Sequence, residues 1–434
     1  MSTERALPTS RISRLSQLGQ LAGGLAGGML SEGARRLARG ESWSFGDLLL
    51  TPSNMDKLAN RLSEMRGAAM KVGQLISMDS GHLLPPQLGE VLAGLREDAH
   101  PMPLGQVAEV LNLAWGTDWD QQFERFIFTP LAAASIGQVH AAKLRDGHSL
   151  AIKIQYPGIR QSIDSDVDNV ATMLRLFKLL PNELEFDPLL NEAKKQLHAE
   201  ADYLREADAM RQYAHLIGDD TRFVTPELIE PLTTREVLSM TQLEGESIDT
   251  LSDQPKRQRA AAAQAMLELA LREVFEWGLV QTDPNFANYL YQQASGKIGL
   301  LDFGAVRAYS AERRQQLISL LNASLAGGES DIAKSAVEIG YLGEDDPESY
   351  RQFVIQLLLT ATEPVRKCET YQFANSDLAQ RMSDQVIELR LKTRYGRLPP
   401  PDVLFLHRKL GGLYLLLTRL KIDLDVKRLI QPYV

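Results

Sequence analysis

A polar loop followed by a hairpin signal constrains this chain more than any other stretch. Asp283 and Asn288 lie five residues apart in a turn-rich segment, and Asp302 follows an apolar run. Residues 288–291 and 297–301 read as two short strands around an Ala-Ser-Gly turn, which is the pattern of a β-hairpin. Because a hairpin brings its flanks together, we expect Asp283, Asn288 and Asp302 to converge.

The convergence of these three side chains suits phosphoryl transfer. Asn288 and Asp302 supply hard oxygen ligands of the kind that Mg²⁺ takes, and Asp283 could orient or deprotonate a nucleophile. The order Asp-x-x-x-x-Asn, hairpin, Asp-Phe-Gly matches the catalytic and metal loops of kinases. An Asp-Phe-Gly alone is a weak signal, and the alternative is a solvated acidic turn beside a buried strand.

Composition excludes several classes of protein. With 434 residues and 44% apolar content, the chain predicts a soluble globular protein of two or three domains. A single cysteine, Cys368, excludes an intramolecular disulfide and fits a reducing compartment. We expect no spanning helix, since no uncharged apolar run reaches ~18 residues, and no secretory signal. The net charge of −9 argues against general nucleic-acid binding.

The first 40 residues differ from the rest in charge and glycine content. Six arginines against two acids give this segment a charge of +4, which could attract anionic lipid or mark a solvated tail. Glycines recur at four-residue intervals, at Gly19, Gly23 and Gly27 and at Gly24 and Gly28. This spacing predicts a flat helix face for close contact with a second copy, lipid or the protein itself, unless the segment is a flexible linker.

Helical periodicity appears before the β region. Residues 54–78 predict one helix with an apolar stripe, formed by Leu58, Leu62, Met65, Ala69 and Val72. The end of this helix carries Lys71 and Gln74 in a Lys-Val-Gly-Gln sequence that means little alone. Shorter helices are predicted at 87–95 and 104–115.

A loop of small residues is predicted between strands at 128–131 and 139–144. The loop consists of Ala132, Ala133, Ala134, Ser135, Ile136, Gly137 and Gln138. Exposed backbone N–H groups there could hold phosphate oxygens, and alanine should make the loop stiffer than glycine would. The next predicted strand, 150–154, contains Lys153, whose charge is costly in an apolar strand unless it is paired. A phosphate and a carboxylate would pair it; the alternative is an edge-strand lysine in water.

Three acidic residues lie on what reads as one long helix. The helix begins at Asp187-Pro188 and is predicted to run to about residue 217, carrying Glu200, Asp202 and Glu206. On such a helix Asp202 and Glu206 share a face, whereas Glu200 and Glu206 differ by about 240° and need different partners. We expect one to meet the strand lysine, and another could meet Lys71, unless all three are solvated.

The chain after this helix predicts a hinge and a helical remainder. A strand at 235–242 precedes a hinge where backbone groups of Gln242 and Leu243 could contact adenine. A helix at 254–278 leads to the polar loop, and Ser310 reads as the N-cap of a helix at 311–325. This leaves no room for the long activation segment that protein kinases need, which argues against protein substrates. An amphipathic to fully apolar helix is predicted at 404–420, and we expect it to be buried in the core rather than to contact a membrane.

With these motifs assembled, the chain resembles the UbiB/AarF family of atypical protein-kinase-like proteins, in the ADCK-like branch without C-terminal membrane spans that is tied to ubiquinone biosynthesis. The resemblance covers nearly the whole chain, including Lys-x-Gly-Gln, the alanine-rich loop, Glu-x-Asp and the final Leu-His-Arg-Lys-Leu-Gly-Gly. It implies that Glu206 pairs with Lys153, the nucleotide-binding lysine. It also implies that Lys71 and Gln74 fold over the active site to meet Glu200 and Asp202.

The resemblance implies an α+β, protein-kinase-like fold of two lobes. We expect a small β-rich N-lobe at 121–244 and a helical C-lobe at 245–434. A helical extension at 41–120 would cover the active site, preceded by the basic glycine-rich segment at 1–40.

The predicted function is that of an atypical kinase-like ATPase. It would bind ATP and Mg²⁺ between its lobes, support isoprenoid quinone synthesis at a membrane surface, and phosphorylate a small lipid-like molecule or hydrolyse ATP. Lys153, Glu206 and Asp283 are the predicted catalytic residues. The alternatives are a nucleotide-switched module that binds lipid precursors with little catalysis, and an interaction scaffold built on the glycine-rich helix.

The predicted partners are quinone-pathway lipids or enzymes, an anionic membrane and a second copy of the chain. We expect peripheral membrane association in a bacterial cytoplasm, with the mitochondrial matrix as the alternative.

Overall fold

The structure is a computed structural model that describes residues 51–80, 101–176, 187–366, 370–393 and 399–434. The glycine-rich segment 1–40, the predicted helix at 87–95 and Cys368 lie outside the described residues. Two compact units are present: the first draws on Met1–Ala207 and Leu228–Gln242, the second on Asp208–Glu227 and Leu243–Val434. The four-segment division made from the sequence stays a prediction.

The first unit is built on a five-stranded antiparallel sheet with the order β1-β3-β4-β6, in which β2 pairs with β3. Its strands are β1 (Phe123–Phe126), β2 (Ala132–Ala133), β3 (Gly137–Leu144), β4 (Ser149–Gln155) and β6 (Val237–Thr241). On β4, Lys153 lies opposite Val139 on one side and Leu238 on the other. Lys153 therefore belongs to an interior strand, and the alternative of an edge lysine in water is wrong.

Helices of the first unit are α1 (Pro52–Glu64), α2 (Arg66–Ser80), α3 (Leu104–Trp115), α4 (Ile159–Leu176), α5 (Asp187–Glu200) and the start of α6 (Tyr203–Ile217). The predicted stripe on α1 and α2 is confirmed, because all five of its residues are buried. The prediction of one continuous helix is wrong. The chain leaves helical geometry at Met65 (φ −115°, ψ 35°), and α2 packs against α4 and α5.

The prediction of one long helix from residue 187 to 217 is also wrong. Helix α5 ends at Glu200 and α6 begins at Tyr203. Asp202 Oδ1 accepts a hydrogen bond from the Leu204 N–H at 3.3 Å, so Asp202 caps a new helix. Because the axis breaks here, the 240° rotation calculated for a single helix does not describe Glu200 and Glu206.

The strand predicted at 128–131 is absent, and β1 lies five residues earlier. Pro130 lacks the N–H that a ladder needs. The Ile127 N–H bonds the Ala141 carbonyl and the Leu131 N–H bonds the Val139 carbonyl, so the residues between them loop out of the sheet edge.

The second unit is mainly helical. Its helices after α6 are α7 (Lys256–Leu271), α8 (Ala311–Ala326), α9 (Glu329–Ile339), α10 (Glu348–Ala361), α11 (Glu363–Arg366), α12 (Leu378–Thr393), α13 (Pro401–Arg419) and α14 (Val426–Ile430). Its strands are β5 (Phe223–Val224), β7 (Glu246–Ser247), β8 (Leu279–Gln281), β9 (Tyr289–Gln292), β10 (Lys297–Leu300), β11 (Val306–Ala308), β12 (Tyr371–Gln372) and β13 (Asp423–Leu424). They form three small sheets, with the orders β5-β10-β9-β7, β8-β11 and β12-β13.

Local predictions for the second unit are largely confirmed. Strands β9 and β10 form the predicted hairpin, with Tyr289 opposite Leu300. Ser310 caps α8 by accepting the Arg313 N–H at 3.1 Å. The helix predicted at 254–278 is only partly an α-helix, because α7 ends at Leu271 and a π-helical turn follows at Arg272–Trp277.

Helix α13 is a core element, as its sequence predicts. Five of its leucines are buried: Leu404, Leu406, Leu413, Leu416 and Leu417. Two further leucines of this helix, Leu410 and Leu415, are 46% and 55% exposed. Across the described parts of the chain, no helix combines the length and apolarity needed to cross a membrane.

Candidate active site

The first unit places Lys153 and Glu206 in a buried ion pair. Lys153 is 9% exposed on β4, and Glu206 is 6% exposed in the first turn of α6. The Lys153 ammonium bonds Glu206 Oε1 directly. Two opposite charges held together out of water keep each other ionised, so the lysine presents a fixed positive charge. The contact that the resemblance implied is present, and its role in binding a nucleotide stays a prediction.

Glu200 connects helix α2 to the alanine-rich loop. Its Oε1 pairs with the ammonium of Lys71, and its Oε2 accepts a hydrogen bond from Ser135 Oγ at 2.8 Å. The backbone also comes close here, since a Cβ on Gly67 would lie 2.9 Å from the Ser135 carbonyl oxygen. Gln74, half-buried, follows Lys71 by one turn of α2. Helix α2 is therefore clamped onto the loop by one carboxylate.

Asp202 has a different partner from the one that the resemblance implied. Its Oδ2 lies 3.3 Å from Nε of Arg235, a residue that sequence reasoning did not single out. The Tyr203 N–H, next in the chain, bonds the Arg235 carbonyl at 3.1 Å. Asp202 thus fixes the start of α6 to the chain before β6, and only Glu200 of the Glu-x-Asp motif meets Lys71.

The alanine-rich loop turns its small side chains outward and its larger ones inward. Ala132 and Ala133 are exposed, Ala134 and Ser135 are half-buried, and Ile136 is 2% exposed. The loop is tied at its end, because the Ala134 N–H bonds the Gly137 carbonyl at 2.9 Å. A Cβ on Gly137 would overlap the carbonyl oxygen of Ile154, so glycine is required there. That the alanines make this loop stiffer than glycines would stays a prediction.

The side chain of Gln138 is buried and hydrogen-bonded inside the first unit. Its Oε1 accepts the Met102 N–H at 2.8 Å, and its Nε2 lies 2.8 Å from His140 Nε2. His140 Nδ1 lies 2.9 Å from the Ile127 carbonyl oxygen, so Nδ1 carries the proton and Nε2 accepts from Gln138. Burial lowers the pKa of His140 and keeps the ring neutral. Any contact of Gln138 with a nucleotide would use its main chain.

Gln242 and Leu243 follow β6, where the first unit ends and the second begins. The Gln242 N–H bonds the Ser149 carbonyl at 2.9 Å, and its side chain is exposed. The adenine contact assigned to this hinge stays a prediction.

The second unit brings Asp283, Asn288 and Asp302 together, as the hairpin predicted. Asn288 Nδ2 donates to Asp283 Oδ2 at 3.0 Å, and the Leu301 N–H bonds the Asn288 carbonyl at 3.0 Å. The buried amide of Gln281 holds both segments. Its Oε1 accepts the Asp283 N–H at 2.7 Å, and its Nε2 donates to the Asp302 carbonyl at 3.2 Å.

The orientation of the Asn288 amide follows from its partner. An ionised carboxylate only accepts, so Asn288 must turn its NH₂ toward Asp283 and its oxygen away. Asp302 accepts the Gly304 N–H on Oδ1, a contact that bends the Asp-Phe-Gly turn. Among the described residues there is no cluster of three His, Cys, Asp or Glu side chains that could hold a metal. One carboxylate and one amide oxygen fit Mg²⁺, which keeps waters and takes further oxygens from phosphates.

Two residues of α13 that sequence reasoning did not assign lie against the Asp283 loop. Arg408 bonds Asp283 Oδ1 through its Nη2. One turn later, a Cβ on Gly412 would overlap the side chain of Pro284. Both belong to the Leu-His-Arg-Lys-Leu-Gly-Gly stretch, but no local pattern indicates which distant loop this helix face would meet.

Comparison with known proteins identifies the family of this chain. Residues 94–336 match the model of the ABC1 atypical kinase-like domain. The yeast Saccharomyces cerevisiae protein named "Atypical kinase COQ8, mitochondrial" is 36% identical over 96% of this chain and 83% of its own length. The Rattus norvegicus protein named "Atypical kinase COQ8B, mitochondrial" is 35% identical over 99% of this chain and 81% of its own length.

Among solved structures, the Rv3197–erythromycin complex from Mycobacterium tuberculosis superposes with a TM-score of 0.59 at 25% identity, covering 88% of this chain and 96% of that one. The fold and the residues at its polar loop define a protein-kinase-like, α+β protein. The chain belongs to the ABC1, or UbiB, family of atypical kinase-like proteins.

Proposed function

We propose that this protein binds ATP with Mg²⁺ and either hydrolyses the ATP or transfers its phosphoryl group to a small lipid-like acceptor. The observation that carries the proposal is the cluster of Asp283, Asn288 and Asp302, in which the Asn288 amide turns its oxygen away from Asp283. A bound Mg²⁺ would supply positive charge that offsets the negative charge developing on the phosphate oxygens during phosphoryl transfer. Asn288 and Asp302 would hold it.

The remaining residues have roles that follow from their contacts. Lys153, kept charged by Glu206, binds phosphate oxygens as a fixed cation. Asp283 positions the acceptor hydroxyl or water and accepts its proton at Oδ1 or Oδ2, helped by the fixed placement that Gln281 gives its backbone. The alanine-rich loop offers backbone N–H groups to the nucleotide, and its clamp by Glu200 and Lys71 keeps peptide substrates out.

The biological role that we propose is support of isoprenoid quinone synthesis at a membrane surface. It rests on the family resemblance, and the names of the yeast and rat relatives as mitochondrial atypical kinases agree with it. We propose peripheral association with an anionic membrane on the cytoplasmic side of a bacterium, with the mitochondrial matrix as the alternative.

The decisive experiment compares Asp302→Asn with wild type. Loss of this carboxylate removes a proposed Mg²⁺ ligand, and ATP turnover should fall by roughly 10²-fold or more. Asp384→Asn, an exposed change on α12, serves as the control and should leave turnover unchanged. In cells lacking the protein, wild type should restore quinone levels and Asp302→Asn should not. Turnover of Asp302→Asn within several-fold of wild type would contradict the proposal.

A second candidate function is a nucleotide-switched module that binds lipid precursors with little catalysis. It is favoured by the partners of Asp283, since Arg408 binds one of its oxygens and Asn288 the other. A nucleophile that approaches Asp283 would therefore compete with Arg408 or Asn288 for a carboxylate oxygen. Turnover measured with and without anionic vesicles, in wild type and Asp283→Asn, separates the two functions. Equally slow turnover in both proteins supports the switch.

A further inference from the structure

A buried ion pair lies behind the hairpin of the second unit. Lys409 of α13 and Glu273 are 3% and 1% exposed, and Lys409 Nζ lies 2.7 Å from Glu273 Oε2. Tyr213 donates its hydroxyl to Glu273 Oε1 at 3.0 Å, and Lys409 Nζ lies 3.4 Å from the hydroxyl of Tyr289. We call these four residues the buried polar network.

A buried ion pair is by itself weak evidence of a role in stability. Apolar residues of similar volume in place of a buried ion pair often leave a protein equally stable or more stable. Burial raises the pKa of Glu273, although Lys409 opposes the shift. Burial by itself would lower the pKa of Lys409, but the carboxylate outweighs it and the pKa lies above the usual value. The contacts between Lys409, Glu273, Tyr213 and Tyr289 hold the four side chains in one geometry.

Each tyrosine of the network is connected to a segment that carries a residue of the polar cluster. Tyr289 directly follows Asn288 in the chain. The Tyr213 ring packs edge-on against Phe303, with centroids 5.2 Å apart, and Phe303 directly follows Asp302. The network therefore restrains the two segments that supply the proposed Mg²⁺ ligands.

The network also reaches the strand that enters the polar loop. The Tyr213 hydroxyl lies 3.2 Å from the Leu279 carbonyl oxygen at the start of β8. That strand ends at Gln281, whose amide holds Asp283 and Asp302. Glu273 itself sits in the π-helical turn Arg272–Trp277 just before β8, and such turns occur frequently at functional sites.

We infer that Glu273 and Lys409 are positioning residues which, through Tyr213 and Tyr289, set the distance and orientation between Asn288 and Asp302. The expected effect on Mg²⁺ binding rests on the proposed function. The restraint that the network places on residues 282–304 does not. None of the four residues is a proposed ligand of Mg²⁺ or ATP. The network acts through Asn288 and Asp302, which precede Tyr289 and Phe303 in the chain. Without it, the two ligand oxygens would sample a wider range of separations and bind Mg²⁺ more weakly.

The test uses the full chain with the paired change Glu273→Gln and Lys409→Met, which removes both buried charges together. We expect a folded protein in which amide hydrogen exchange across 282–304 is roughly tenfold faster, while β3 and β4 exchange as before. The Mg²⁺ concentration for half-maximal ATP turnover should rise roughly tenfold, with the KM for ATP within about twofold of wild type. The matched control is Glu363→Gln with Arg381→Met, which removes a partly exposed ion pair at 2.6 Å and should change neither readout.

A folded paired variant with wild-type exchange across 282–304 would overturn the inference. If that variant does not fold, Tyr289→Phe and Tyr213→Phe remove only hydroxyl groups, and each should accelerate exchange in the same segment by about two- to fivefold. Unchanged exchange in both overturns the inference as well. If the wild-type protein shows no turnover of ATP, the proposed function fails, and the exchange measurement still decides whether the network restrains the loop.

Discussion

Arg408 binds the carboxylate of Asp283 across 125 positions of the sequence. The pair is partly buried, with the two side chains 16% and 21% exposed. A guanidinium at this point holds Asp283 from the side opposite Asn288, so the carboxylate cannot rotate away from its place in the loop. Helix α13 therefore contributes to the candidate active site.

We predict that Arg408→Gln lowers ATP turnover by about tenfold, equivalent to ~1.4 kcal/mol of barrier, because Asp283 loses its fixed orientation. Arg408→Lys should recover only part of the rate, since a lysine lacks the planar fork of donors. Steady-state kinetics at saturating ATP check both variants. A rate increase in Arg408→Gln would show instead that Arg408 restrains an otherwise active Asp283.

Gly411 and Gly412 offer a matched pair of substitutions on α13. A Cβ on Gly412 would overlap Pro284, whereas a Cβ on Gly411 would meet nothing within 4 Å. We predict that Gly412→Ala destabilises the protein by about 1–3 kcal/mol by forcing the helix and loop apart. Gly411→Ala should stabilise it by up to about 1 kcal/mol, because alanine favours the helix interior. Urea unfolding measures both, and equal effects at the two positions would contradict the close approach.

Asp202 should contribute to stability mainly as a helix cap. Its Oδ1 accepts the Leu204 N–H, and its other oxygen faces Arg235, which is nearly half exposed. Asp202→Asn keeps the capping oxygen and should change the free energy of unfolding little. Asp202→Ala removes it and should cost about 1 kcal/mol more. Thermal or urea denaturation distinguishes them, and two equal losses would mean that the ion pair dominates.

His140 predicts a dependence of stability on pH. Its pKa is lowered by burial in the folded protein, so the unfolded chain takes up a proton first as the pH falls. The contribution of neutral His140 to the free energy of unfolding is complete above about pH 6.5. It is lost as the pH drops from there toward the pKa of His140 in the folded protein, with a slope of at most about 1.4 kcal/mol per pH unit.

The measurement for this prediction is the free energy of unfolding between pH 5 and pH 8. Burial also lowers the pKa of His407, to about 4, so His140→Gln should reduce the slope below about pH 6.5 relative to wild type without abolishing it. His215→Gln, at an exposed position of α6, serves as the control for replacing a histidine. A wild-type slope that persists in His140→Gln would assign the effect to other groups.

Sequence reasoning succeeded where short-range chemistry decides. The hairpin that gathers Asp283, Asn288 and Asp302, the Ser310 cap and the buried stripe of α1 and α2 all depend on side-chain periodicity and turn residues within a few positions. The family resemblance supplied the contact between Lys153 and Glu206. Where local signals compete, prediction failed: helical periodicity continues through Asp202, but that side chain caps a new helix instead.

The sequence by itself determined the α+β kinase-like class and the identity of the residues around the polar loop. Each motif is a short run of residues, and the order of the motifs follows directly from the chain. Only the tertiary structure decided that Arg408 and Gly412 lie against that loop and that Arg235 meets Asp202. It alone also placed Lys409 and Glu273 in one buried pair. Such contacts depend on how whole helices pack, and no periodicity within one segment specifies the distant segment that its buried face will meet.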